Sequence, residues 1–153
     1  MDYDNHLIRL VYSSKHTDNF EFKDAIDIEN CANRNNPIIG ITGMLFCNSK
    51  GFLQVLEGPR IHVSNLFLKI ARDPRHKDPL LINVSDIQKR MFDVWAMRVI
   101  DSTIAEENVI DFLRKKYKCF GLDEFPITND VDLSTMFLYD LQMALLNHPS
   151  SKL

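Results

Sequence analysis

The stretch 51-GFLQVLEG-58 has the composition of a β-strand, yet a carboxamide, Gln54, stands in the middle of Phe52, Leu53, Val55 and Leu56. Side chains alternate along a strand, so Phe52, Gln54 and Leu56 share one face while Leu53, Val55 and Glu57 share the other. Gln54 is therefore expected among core residues. A buried amide without partners costs roughly 1–3 kcal/mol, so the rest of the chain has to supply a hydrogen-bond partner.

Working outward, 40-GITGMLFCNSKGFLQVLEG-58 reads as a hairpin, two β-rich runs joined by Asn48, Ser49, Lys50 and Gly51. The glycines of GITG weaken a strand by about 1 kcal/mol each unless backbone must approach closely there; they shape a bulge or a close contact. Upstream, 7-LIRLVYSS-14 alternates with Ile8, Leu10 and Tyr12 on one face, and 20–36 has helical spacing with Phe22, Ala25, Ile26 and Ala32 as its apolar stripe. The NNP at 35–37 marks a turn.

Downstream, 59–76 opens on Pro59 and repeats apolar residues at Val63, Leu66, Phe67 and Ile70, which predicts a second amphipathic helix. Two further strands are expected at 79–87 and 94–100. The resulting order, β-α-β-β-α-β-β, is α+β and ferredoxin-like: a split βαβ arrangement with one extra strand and two helices on one sheet face. Two C-terminal helices are expected at 104–117 and 131–147, with Asp130 capping the second. Leu133, Met136, Phe137, Leu141, Ala144 and Leu145 give that last helix a wide apolar face, which must pack on the sheet or on another chain.

Size and charge bound the function. At 153 residues the chain is one domain's worth of core, with 45% hydrophobic and 25% charged residues. Its net charge of −3 argues against nucleic-acid binding through phosphate contacts. The acidity is local: residues 1–100 carry 13 Lys+Arg against 12 Asp+Glu, and residues 101–153 carry 5 against 9. No apolar run is long enough for a membrane helix and the N-terminus lacks the order of a signal peptide, so a cytoplasmic location is expected. Cys31, Cys47 and Cys119 are odd in number and not paired in a CxxC, as expected of thiols in a reducing compartment. The five histidines have no metal-ligand spacing, and glycine-rich phosphate loops are absent, so neither a metal nor a mononucleotide motif is expected. Taken alone, 73-DPRH-76 reads as a solvated loop, and Trp95 and Met97, which share a strand face with Val99, as ordinary core.

The joint order of these pieces is specific. Tyr12 in RLVYSS, NNPIIGITGML at 35–45, GFLQVLEG at 51–58, a helix ending in DPRH, and FDVWAMRV at 92–99 together resemble the BLUF family of blue-light photoreceptors that use FAD, over about residues 7–100. The resemblance implies a flavin between the two helices, edge-on to Tyr12 and Gln54. It places Asn36 at the flavin C4 carbonyl and N3, Asn35 beside the ring, and Ile28 and Ile70 on either side of it. Arg75 and His76 match a pair near the pyrimidine side and ribityl chain, and Lys69 a basic position. Trp95 and Met97 match the switch-associated pair on the last strand; Ala96 departs from the serine that relatives often carry there.

The function implied is photochemical and not enzymatic. Blue light excites the oxidised flavin, Tyr12 donates an electron and then a proton, the radical pair recombines after Gln54 has rotated or tautomerised, and a rearranged hydrogen-bond network remains. The implied layout is a photosensory domain at 1–101 and a helical output or oligomerisation segment at 102–153. Short members of the family form dimers or larger rings, so self-association and a downstream signalling protein are the expected partners. Two rival readings have weaker support. An acylphosphatase-type enzyme would need a phosphate cradle that 13-SSKHTDNF-20, which lacks glycine, does not offer. A flavin-free ligand-sensing or assembly module would share the fold and be colourless. Nothing in the sequence reads as the nicotinamide site of a flavin reductase.

Overall fold

The computed structural model describes residues 3–47, 51–93, 99–101, 111, 115–117 and 131–147. The elements are β1 (Leu7–His16), α1 (Phe22–Asn35), β2 (Thr42–Cys47), β3 (Gly51–Pro59), α2 (Arg60–Arg72), β4 (His76–Asp86), β5 (Val99–Asp101) and α3 (Val131–Asn147), with 3-10 turns at Tyr3–Asn5 and Asn36–Ile39. The five strands lie in the order β4-β1-β3-β2-β5. β3 is antiparallel to both β1 and β2 and lies between them, and β1 lies between β3 and β4. Both βαβ units are thus split, which is the ferredoxin-like arrangement expected from the element order. β5 adds in parallel to β2.

β3 sits at the centre, and every residue from Gly51 to Gly58 is buried. The period of two sorts its side chains between two cores. Phe52 and Leu56 join Ile8, Leu10 and Tyr12 in the front core under α1 and α2, to which Ala25 and Val63 belong. Leu53 and Val55 join Val11, Met44 and Phe46 in the back core, which α3 covers with Phe137, Leu138 and Leu141. The last helix therefore spends its apolar face on this chain's own sheet.

Several local expectations shift by a residue or a turn. α1 ends at Asn35 and the chain continues into the 3-10 turn, in which Asn36 is buried. Gly40 lies outside the strand: it closes that turn at φ 68°, a left-handed conformation that favours glycine, so only Gly43 of GITG stands in β2. Ile26 is 43% exposed, and the inward face of α1 runs instead through Ala25, Ile28 and Ala32. On α3, Met136 is exposed and Leu138 buried, because the buried face is centred on Ser134, Leu138 and Gln142 and includes two polar residues that an apolar-stripe reading passes over. β4 begins at His76, earlier than expected, and carries an irregularity: Lys15 pairs with Lys77 and Ser13 with Leu80, leaving Asp78, at φ 50°, and Pro79 outside the ladder. The expected helix 104–117 and the Asp130 cap lie largely outside the described residues, as do Trp95 and Met97.

Candidate flavin site

Antiparallel pairing sets Tyr12 directly opposite Gln54 on neighbouring strands, both on the front face. Tyr12 is fully buried and Gln54 is 3% exposed. The partner that the buried carboxamide demands is present: the Tyr12 hydroxyl donates to Gln54 Oε1. Burial, reinforced by the negative charge of Asp73, holds the Tyr12 hydroxyl well above the usual phenol range, so this donor keeps its proton.

Gln54 forms part of the wall of a cavity of about 220 Å³ between the sheet, α1 and α2. Ile28 and Asn35 line it from α1, Asn36 from the 3-10 turn, and Lys69 and Ile70 from α2; Arg75 and His76 line it where the chain turns into β4. Apart from the two positions outside the described residues, all the expected site residues meet here; Tyr12 stands behind Gln54 instead of in the lining. Cys31, Leu45, Leu66 and Asp73 also line the cavity and were not assigned to the site by sequence. Helical spacing offered a signal for the first and third, since Cys31 follows Ile28 by three residues and Leu66 precedes Ile70 by four.

The polar groups around the cavity are unevenly satisfied. Asn36 is 2% exposed, yet its Nδ2 has no hydrogen-bond partner, an unmet donor at the wall of an open space. A planar heterocycle with alternating carbonyl and N–H groups fits that need, because an amide side chain can donate and accept at once. Arg75 is committed to Asp73 instead: its backbone N–H donates at 2.9 Å, Nε at 3.0 Å and Nη2 at 2.5 Å. These bonds hold the Asp73 carboxyl below its ordinary range. Burial holds His76 down to about 4, with Arg75 and His16 adding to the effect and Asp73 opposing it. His76 Nδ1 lies 2.7 Å from Ser14 Oγ, and its ring packs on Phe52 at 4.6 Å between centroids. A neutral imidazole, a guanidinium neutralised by a carboxylate and apolar side chains from α1 and α2 make the inner slot weakly charged, suited to a flat, largely uncharged ring, with the Lys69 ammonium exposed at its rim.

A family model described as "Sensors of blue-light using FAD" matches residues 7–98. The chain belongs to the BLUF family. BLUF domains bind flavin, and the unmet Asn36 donor beside Gln54 fits such a ring. Photoactivated adenylate cyclase subunit beta of Euglena longa is 38% identical over 95 residues, 61% of this chain and 11% of the cyclase subunit. This chain thus spans about a tenth of the length of that relative. The solved structure of BlrB, a BLUF protein in its dark state, superposes with a TM-score of 0.75 at 26% identity, over 92% of this chain and 98% of BlrB. BlrP1 of Klebsiella pneumoniae, solved with FMN and cyclic diGMP, gives 0.62 at 32% identity over 71% of this chain and 30% of BlrP1. The match takes in nearly all of BlrB and only a small part of the cyclase subunit. Among the described residues, no three His, Cys, Asp or Glu are placed to hold a metal ion, and no helix is long and apolar enough to cross a membrane.

Proposed function

We propose that the chain is a blue-light photoreceptor whose cavity holds FAD and whose switch is the Tyr12–Gln54 pair. The observation that carries the reading is the buried carboxamide whose acceptor oxygen is held by a buried tyrosine at the wall of a cavity with an unmet amide donor. Asn36 and Gln54 would hold the polar edge of the ring, Ile28 and Ile70 its faces, and Lys69, exposed at the rim, the C2 carbonyl or a phosphate. When bound and excited by blue light, a flavin supplies an electron acceptor beside the pair.

The chain's own residues do the rest. Tyr12 supplies the electron, and its proton passes to Gln54 Oε1, the acceptor already in place. The Gln54 carboxamide then rotates or tautomerises, which exchanges a donor for an acceptor at the same point of the network. Electron and proton return to Tyr12, so no net chemistry remains, only a different set of hydrogen bonds. Such a change biases a two-state element only by the difference in bonding between the two states, on the order of 1–3 kcal/mol. Residues 1–101 act as the photosensory domain, and 102–153 carry the response to a downstream signalling protein or to a second copy of the chain. Trp95 and Met97 belong to the same relay on the last strand.

Absorption spectra of the purified protein in the dark, directly after blue light and during recovery test this, with Gln54→Ala and Tyr12→Phe beside the wild type. A flavin band that shifts red reversibly in the wild type and in neither variant is the expected result; a band that never shifts overturns the switch. Chromatography of the flavin released on denaturation separates FAD from FMN.

A further inference from the structure

Glu57 stands on β3 three residues after Gln54 and faces the opposite side of the sheet. Its side chain is completely buried in the back core. A buried carboxylate is costly unless it is hydrogen-bonded, and this one has unusual partners. It accepts the backbone N–H of Met91 at 3.1 and 3.0 Å and that of Phe92 at 2.9 Å, with Arg9 Nε 3.5 Å away. The other side of the same short segment is held by α3: Gln142, 2% exposed, donates from Nε2 to the Met91 carbonyl at 2.9 Å.

Residues 87–93 form no helix or strand; the Ile87 N–H donates to the Leu7 carbonyl at 3.0 Å, and beyond it side chains hold the segment. Arg90 ties the segment to the sheet, donating to the Glu57 carbonyl at 2.9 Å, the Thr42 hydroxyl at 2.8 Å and the Gly40 carbonyl at 2.6 Å. Phe92 is buried in the same core as Phe137, Leu138 and Leu141 of α3. The Met91 peptide is thus gripped on one side by the strand that carries Gln54 and on the other by the C-terminal helix. Sequence reasoning placed Glu57 on the face of Leu53 and Val55 without assigning it a task.

We propose that Glu57, the Met91 peptide and Gln142 form a coupling latch that transmits a rearrangement at Gln54 through β3 to α3. Glu57 and Gln142 are positioning residues in this scheme, since neither lines the cavity. The latch deepens the photoreceptor reading and rests on it.

The test is amide hydrogen exchange of residues 131–147 in the FAD-loaded full chain, dark against blue light, with the red shift recorded on the same samples. Gln142→Met keeps the side-chain length, removes the donor and lies across the sheet from the cavity. The expected result is an unchanged red shift, unchanged dark protection of α3, and loss of the light-minus-dark difference in 131–147. Glu57→Gln, which keeps one carbonyl acceptor, should reduce that difference as well. The latch is overturned by a light response in α3 that survives undiminished in Gln142→Met. It is also overturned by a variant whose α3 loses protection in the dark, because Gln142 is then merely structural, or by a wild type that shifts red without any response in 131–147. A wild type that never shifts red removes the photoreceptor reading itself, and the latch with it.

Discussion

The two faces of the sheet are built from alternate residues of the same strands and solve opposite problems. Behind the sheet, Phe137, Leu138 and Leu141 of α3 close on Phe46, Leu53 and Val55, and aromatic contacts such as Phe46–Phe137, 5.1 Å between centroids, fill the space. In front, α1 and α2 leave a cavity, with Gln54 and Asn36 at its wall. A protein stabilised by its own packing on one side can leave room on the other for a ring it does not encode. Both faces carry a buried cluster, but only the front one is interrupted by an open space lined with polar groups.

The sharpest way to break this contrast is to open the filled face. Phe137→Ala should lower unfolding stability by about 3–5 kcal/mol in urea titrations, while the flavin band of the folded fraction still shifts red. Loss of the light response from this substitution would mean that the faces are not separable. Filling the open face is the converse. FAD at 100 times its dissociation constant should add about 2.7 kcal/mol, read as a rise in Tm, and the gain should be as large in Phe137→Ala as in the wild type.

Acid separates the faces by sign. In front, His76 is held down to about 4 from an ordinary 6.5, so the unfolded chain binds its proton first as pH falls. Its contribution is complete above pH 6.5 and is lost by about pH 4, on the order of 3 kcal/mol, and the lowered Asp73 acts in the same direction. Behind, burial raises the Glu57 carboxyl against the pull of Arg9 and the two backbone donors. Its contribution therefore weakens as pH rises through that elevated value. Urea midpoints of the protein without flavin should fall between pH 6.5 and 4, and Glu57→Gln should steepen that fall. The smallest effect belongs to neither face: Lys15 and Asp78 pair at 3.6 Å with both side chains more than 60% exposed, and Lys15→Ala should change stability by less than about 0.5 kcal/mol.

What could be read in the sequence follows the same division. Period-two alternation alone placed Tyr12 and Gln54 on sheet faces with apolar neighbours, and the demand for a partner to Gln54 is met by the residue directly across the ladder. The cavity residues required the family resemblance, because Asn36, Lys69 and Arg75 carry no periodic signal. The back face was the less legible. Gln142 and Met91 are 51 residues apart, and no local pattern states which side of α3 turns toward a segment without regular structure. Reading the helix by its apolar stripe chose Met136 over Leu138, because the buried polar residues Ser134 and Gln142 pull the contact face around. Trp95 and Met97 lie outside the described residues, so their place in the relay rests on resemblance alone.

The irregularity in β4 bears on a different hazard. β4 is an outer strand of eleven residues with Leu80, Leu81 and Val84 at 51%, 48% and 40% exposure, the kind of edge on which chains stack into aggregates. Asp78 at positive φ and Pro79, which has no N–H to offer, interrupt that edge near its start and remove a donor an incoming strand would need. Crowded copies of the molecule would meet a ragged border there, so the sheet resists growing into a fibril along this edge.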